Sequence, residues 1–215
     1  MTATCTPAGR ITKSLLGYGI IAGPLYVVVA LAQALTRDGF DLSKHAWSLL
    51  SNGELGWLQI TNFVVTGLMT VAAAIGWHRA LTSGRGRTWA PTLLAAYGVS
   101  LIGAGIFRAD PAQGFPAGTP ETTTFSWHGM LHFMIGGIGF GCLIAVCFVL
   151  ANYFSRNGHR GMTWFSRITG VVFLAGFAGI ASGSQGPTTL AFVAAVLTVW
   201  TWVTTVSIHL YRVAA

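Results

Sequence analysis

Charge is what this 215-residue chain has least of: 8% of its residues are Asp, Glu, Lys or Arg, against about 25% in a soluble domain. With 53% of residues hydrophobic, too little polar surface remains to face water. The composition therefore excludes an ordinary soluble fold and points to an integral membrane protein. Acid is scarcer still, five carboxylates against twelve Lys and Arg, for a net charge of +7. A basic excess can signal nucleic acid, but these cations fall singly in short connections rather than in a stripe, so no nucleic-acid partner is expected. Cysteine is also rare. Cys5 lies in the polar N-terminal tail, Cys142 and Cys147 lie in an apolar run, and no CxxC spacing occurs. An odd count without that spacing argues against both a disulfide framework and a redox or metal motif, so all three read as structural. A cleaved signal peptide is not expected either. The first apolar stretch runs past Pro24 to about Leu35 without an A-x-A site, longer than a typical h-region.

What is present is long apolar runs. A helix needs roughly 20 apolar residues to cross the hydrocarbon core, and six stretches qualify: about 14–35, 57–78, 90–107, 127–153, 168–184 and 188–211. The expected fold is all-α, a single domain over 1–215 built as a bundle of six transmembrane helices. Both termini then share one side with nine of the basic residues, and only Arg37, Lys44 and Arg108 lie on the other. The positive-inside bias makes the terminal side cytoplasmic. The inner turns "TSGRGRT" and "SRNGHRG" read as tight basic connections, with His159 solvated there and His78 and His209 closing the inner ends of spans two and six. Pro91 suits the first turn of span three. The run "GGIGFG" (136–141) and the glycines Gly170, Gly176, Gly179 and Gly183 predict close packing of spans four and five.

Polar chemistry collects in the two long outer connections. All five acids, Asp38, Asp41, Glu54, Asp110 and Glu121, fall there. In "DLSKHAWSLLSN", Asp41, His45, Ser48 and Asn52 recur at spacings of four, three and four, one face of a short amphipathic helix capped by Asp41 and stopped by Gly53. After span three, Asp110-Pro111 breaks the helix. Span four opens with "FSWHGMLHF", placing His128 and His132 four apart on one helical face. Such a pair is how a helix offers two imidazoles to one metal, although Gly129 stands where an HExxH motif has glutamate. Ionisable groups at membrane depth are candidate functional residues. The candidate pocket thus takes Glu54 and Asp110 as catalytic carboxylates and His128 and His132 as ligands of a divalent metal such as zinc. His45, Ser48, Asn52, Arg108 and Gln185 are its substrate-binding groups. In the alternative, Arg108 pairs with Asp110 or Glu54 and only fixes the loops.

The stretches "SLLSNGELGWLQITNF" and "GIFRADP…H" resemble the DUF998 family of bacterial and archaeal membrane proteins, at Ser51, Glu54, Gly56, Gly105, Phe107, Asp110 and His128. The six-span layout agrees, so the resemblance covers most of the chain and implies a multi-pass protein of the plasma membrane. The insert "AQGFPAGTPETTTF" departs from the family pattern. The resemblance implies no reaction. A weaker chemical analogy runs to membrane hydrolases of the alkaline ceramidase type, which hold zinc with three histidines; here the last span offers only His209, at its opposite end.

Several functions follow. One is an enzyme acting on a lipid or other apolar substrate, by metal-assisted hydrolysis or by acid–base chemistry between Glu54 and Asp110. A second is a transporter or small-molecule binder, against whose ion-path version stands the near absence of ionisable groups at mid-membrane. A third is a b-type haem protein, with His45 or His128 on one side and His78 with His209 on the other. The last is a structural or regulatory membrane protein.

Overall fold

Thr6 and Pro7 start the first helix. The Thr6 hydroxyl accepts the Gly9 N–H at 3.1 Å, and proline at the first helical position loses no bond. In this computed structural model, which describes residues 6–121, 125–183 and 186–214, that helix is α1, Pro7–Thr36. Five more follow: α2 Gly56–Ala80, α3 Gly84–Ile106, α4 Trp127–Arg156, α5 Arg160–Ala181 and α6 Pro187–Val213. All six are long and apolar enough to cross a membrane, and the described residues form no strand. At 1.5 Å per residue the shortest, of 22 residues, reaches about 33 Å, the thickness of the hydrocarbon core. Large apolar side chains such as Val28, Leu35 and Ile138 stay 65–72% exposed on the outer wall of the bundle, where lipid replaces water.

Each helix packs on its neighbours in the chain, and α6 closes back onto α1 to make a ring. Prolines are placed where another helix supplies the missing partner. Pro24 cannot donate to the Ile20 carbonyl, and the Thr204 hydroxyl of α6 donates to that oxygen at 3.3 Å. Pro91 is not in a first turn: α3 begins at Gly84, so the proline frees the Arg87 carbonyl, which accepts from His78 Nδ1 at 3.2 Å. Two buried indoles are paired, Trp77 Nε1 donating to the Ser207 hydroxyl at 3.0 Å and Trp202 Nε1 to the Ser166 hydroxyl at 2.9 Å, whereas Trp47 Nε1 and Trp200 Nε1 are buried without a partner among the described residues. The α1–α2 seam carries a polar ladder. Gln33 Nε2 (3.0 Å) and Asn62 Nδ2 (3.3 Å) both donate to Gln59 Oε1, and Thr66 donates to Asn62 Oδ1. With no water at this depth, such groups glue helices together. Cys142 and Cys147 are free thiols, the second buried.

Two glycine and loop expectations are revised. Within "GGIGFG", a Cβ at Gly136 or Gly141 would meet nothing within 4 Å, whereas one at Gly139 would strike Ser100 of α3. The run therefore packs on α3 through Gly139 and leaves space elsewhere, while Gly170 does press on α4 at Cys147 and Phe148. The first long loop holds a short helix, but it is a 3₁₀ helix, Trp47–Ser51, not a continuous turn from Asp41 to Asn52. The Asp41 carboxylate, expected as its N-cap, instead folds back on Ser43, accepting its N–H at 2.8 Å and its hydroxyl at 2.7 Å. Local side-chain bonds of this kind compete with helix formation, and Ala46 is extended (ψ 147°) before the 3₁₀ turn begins.

A candidate ligand cavity at the long-loop end

The long-loop end is roofed by the first two long connections, and one cation ties the roof together. Arg37 leaves the end of α1 and donates from Nη1 to Leu50 O at 2.6 Å and from Nη2 to Asn52 O at 2.5 Å. Its guanidinium also lies 4.9 Å from the Phe115 ring centre. Burial lowers the Arg37 pKa from its ordinary value, but a guanidinium stays protonated regardless. Asn52 Nδ2 then bridges Leu49 O and Ala109 O, both at 3.1 Å. His45, buried between the aromatic rings of Phe40 and Phe115, accepts the Asp41 N–H on Nδ1 at 2.9 Å. Its Nε2 faces Gln113 O, also at 2.9 Å. A carbonyl only accepts, so the hydrogen sits on Nε2 and the ring joins the two connections. The third connection is attached as well, through Gly186 N–H to Ser43 O at 2.9 Å. Asp41 itself is exposed, and its bonds from the Ser43 hydroxyl and N–H hold its pKa below the usual carboxylate value.

Asp110 organises the start of α4. Its carboxylate accepts the Ser126 N–H at 2.7 Å and the Ser126 hydroxyl at 2.5 Å, and that hydroxyl caps the helix by accepting Gly129 N–H at 3.1 Å. A negative group here also complements the helix dipole. Gly129 is required for this approach: a Cβ there would land on the Asp110 carboxylate. One turn on, His132 is 6% exposed, and its Nδ1 donates to Phe107 O at 2.8 Å, an end-of-helix carbonyl that α3 leaves open.

Beneath this roof lies a cavity of about 690 Å³, within the 300–1,000 Å³ range of small-molecule sites. Its wall is mostly apolar. Gly136, Gly137 and Phe140 of α4, Phe177 of α5 and Phe192 and Val196 of α6 line it, with Tyr26, Tyr97 and Ser100 opposite. Phe140, whose ring lies 5.2–5.6 Å from those of Phe173, Phe177 and Phe192, closes its inner end. Past Phe140, Leu143, Val146 and Leu150 are fully buried. Polar groups gather at the roof side: Lys44, Ser48, Asp110, Gln113 and His132. Met130, Phe133 and Met134 border the cavity while 54–59% exposed, so the α4 face opens it towards lipid.

The sequence-chosen residues therefore divide. His132, Asp110 and Ser48 border the cavity; His45 and Asn52 are buried in its roof. Glu54, Arg108 and His128 are exposed and outside its lining. The Asp110 oxygens take their hydrogen bonds from Ser126, not from Arg108. His128 stacks on Trp127, ring centres 3.5 Å apart, and not into a shared site with His132. Gln185 lies outside the described residues. Among the described residues no three His, Cys, Asp or Glu side chains gather where a metal ion could sit. At the other end His209 meets His159, centroids 4.8 Å apart, while His78 Nδ1 is engaged by Arg87 O. Missed in the sequence were Gln59, Asn62, Thr66 and Thr70, whose spacing of three, four and four already marks one polar face of α2, and Gln113, the non-glycine residue with positive φ (57°) among those described.

Fold and site together define a polytopic, six-helix membrane protein with a cavity under the roof at one end of the bundle. Residues 20–209 match the model of the family described as "Protein of unknown function (DUF998)", and the chain belongs to that family. No curated protein and no solved structure matches it. The motif positions carry structural jobs here. A Cβ at Gly56 would strike Ser51 O, Gly105 lies against Ile60 and Val64, Phe107 offers its carbonyl to His132, and Asp110 anchors α4.

Proposed function

We propose that the protein binds a single amphiphilic molecule from the bilayer, its apolar body in the cavity and its polar head at the roof. The observation that carries this is the cavity's division into an apolar shaft ending at Phe140 and a polar end at Lys44, Ser48, Asp110, Gln113 and His132. A water-soluble ligand would waste the shaft, and an ordinary packed bundle would have filled it. In this reading His132, Asp110 and Ser48 stand around the head, and His45 and Asn52 hold the roof in place. The charge bias supports an orientation with the long-loop end outside the bacterial plasma membrane and both termini in the cytoplasm; on that orientation the ligand is drawn from the outer leaflet past Met130 and Phe133. The test is native mass spectrometry of the detergent-purified protein, with lipid extraction. A stoichiometric amphiphile, lost in Gly136→Leu, is the expected result. Wild type and variant carrying the same bound species, or none in either, would overturn it.

A further inference from the structure

Within the amphiphile reading, on which this rests, we infer that the cavity selects a neutral hydroxyl head group, held by Nε2 of His132. The Phe107 carbonyl accepts from Nδ1, and a carbonyl oxygen has no hydrogen to give, so Nδ1 carries the ring hydrogen. The neutral imidazole then presents a bare lone pair at Nε2. The Ala104 carbonyl of α3 also lies near the ring and, like that of Phe107, can only accept; among the described residues no donor reaches Nε2, nor is it one of the polar atoms sealed without a partner. The side chain is 6% exposed and forms part of the cavity wall. Its open acceptor is therefore answered by a donor on the ligand.

That requirement sorts the head groups. Ionised carboxylates and phosphates are acceptors only: Lys44 would attract either at the roof, but neither has a hydrogen to give to Nε2. An ammonium would meet Lys44 at the roof, while the carboxylate of the lining, Asp110, already receives two bonds from Ser126. A hydroxyl supplies the proton without a charge. Depth fits as well. His132 is in the second turn of α4, and Phe140 is eight residues further in, about 12 Å along the helix axis. A chain anchored at His132 runs past the open space beside Gly136 and stops at Phe140.

The experiment uses full-length protein in lipid nanodiscs and five twelve-carbon probes: 1-dodecanol, 1-methoxydodecane, dodecane, dodecanoate and dodecylamine. Binding is read by tryptophan fluorescence, since Trp47 borders the cavity, and by native mass spectrometry. The alcohol is expected to bind about five- to tenfold more tightly than its methyl ether, the worth of one neutral hydrogen bond. His132→Phe is expected to bring the alcohol down to the affinity of the ether and to leave the ether within about twofold of its wild-type value. Equal binding of alcohol and ether to the wild-type protein, or tighter binding of the amine or carboxylate, overturns the hydroxyl assignment while leaving amphiphile binding standing. Binding of none of the five sinks the parent reading. Because the ether comparison changes only the ligand, it decides the matter even if His132→Phe does not fold.

Discussion

Adding one methyl group at Gly129 tests the reading of Asp110 as the anchor of α4. In isolation Gly→Ala inside a helix is favourable by about 0.8–1 kcal/mol. Here the new Cβ would land on the Asp110 carboxylate. Either Asp110 swings away or the α4 terminus shifts, and both the Ser126 N–H and hydroxyl bonds go with it. A hydrogen bond to a charged group contributes about 1.5–3 kcal/mol; the half-exposed position favours the low end. Two such bonds at the low end come to about 3 kcal/mol, so after the helix gain Gly129→Ala should destabilise by about 2 kcal/mol. The decisive measurement is a double-mutant cycle by SDS titration in mixed micelles. In an Asp110→Ala background the methyl meets no carboxylate, and Gly129→Ala should become stabilising, by about 1 kcal/mol. The sign reversal, a coupling of about 3 kcal/mol, is the signature of direct contact. Gly129→Ala that is neutral or stabilising in the wild-type background would refute the geometry. So would a destabilisation that persists unchanged without Asp110.

Other consequences are quicker to check. Gly136→Leu should leave unfolding stability unchanged or raised by about 1 kcal/mol, since glycine is the poorer helix former and its Cβ meets nothing within 4 Å. Loss of folded protein on size-exclusion chromatography would contradict an empty shaft. Gln59→Leu should cost about 1 kcal/mol, read as a lower SDS midpoint: the Gln33 and Asn62 amides each lose one acceptor but keep Val29 O and Tyr26 O, and the unpartnered Gln59 Nε2 is removed with it. Ser43→Ala should raise the Asp41 pKa, which its hydroxyl and N–H depress, seen in a carbon-detected NMR titration. The sign is that of a depressed carboxylate: the Ser43 contribution is present above the unfolded pKa and lost as pH falls through the folded one.

Much of the architecture was legible because lipid imposes one-dimensional rules. A span must be long, apolar and helical to satisfy its own backbone, so six runs gave six helices. The capping chemistry was partly readable: Ser126 directly precedes span four and is of a capping residue type, while Gly129 looked only like a gap in HExxH. Loops were harder. Asp41, His45, Ser48 and Asn52 fit one helical face by spacing, but the bonds of Asp41 to Ser43 and to the His45 ring outbid the helix.

By itself, then, the sequence determined a multi-pass α-helical protein, its span count, and the concentration of polar groups at one end, because hydrophobic length and charge distribution are properties of the chain alone. Only the tertiary structure decided which of those groups share a space. His128 and His132 lie on one stretch of helix, yet one stacks in the open on Trp127 and the other is drawn inward by the Phe107 carbonyl. That separation depends on where α3 ends, which no spacing within α4 encodes. The cavity is likewise a product of packing: glycines that read as close contacts left room, since helix approach at Gly139 holds α4 against α3 and turns Gly136 towards empty volume.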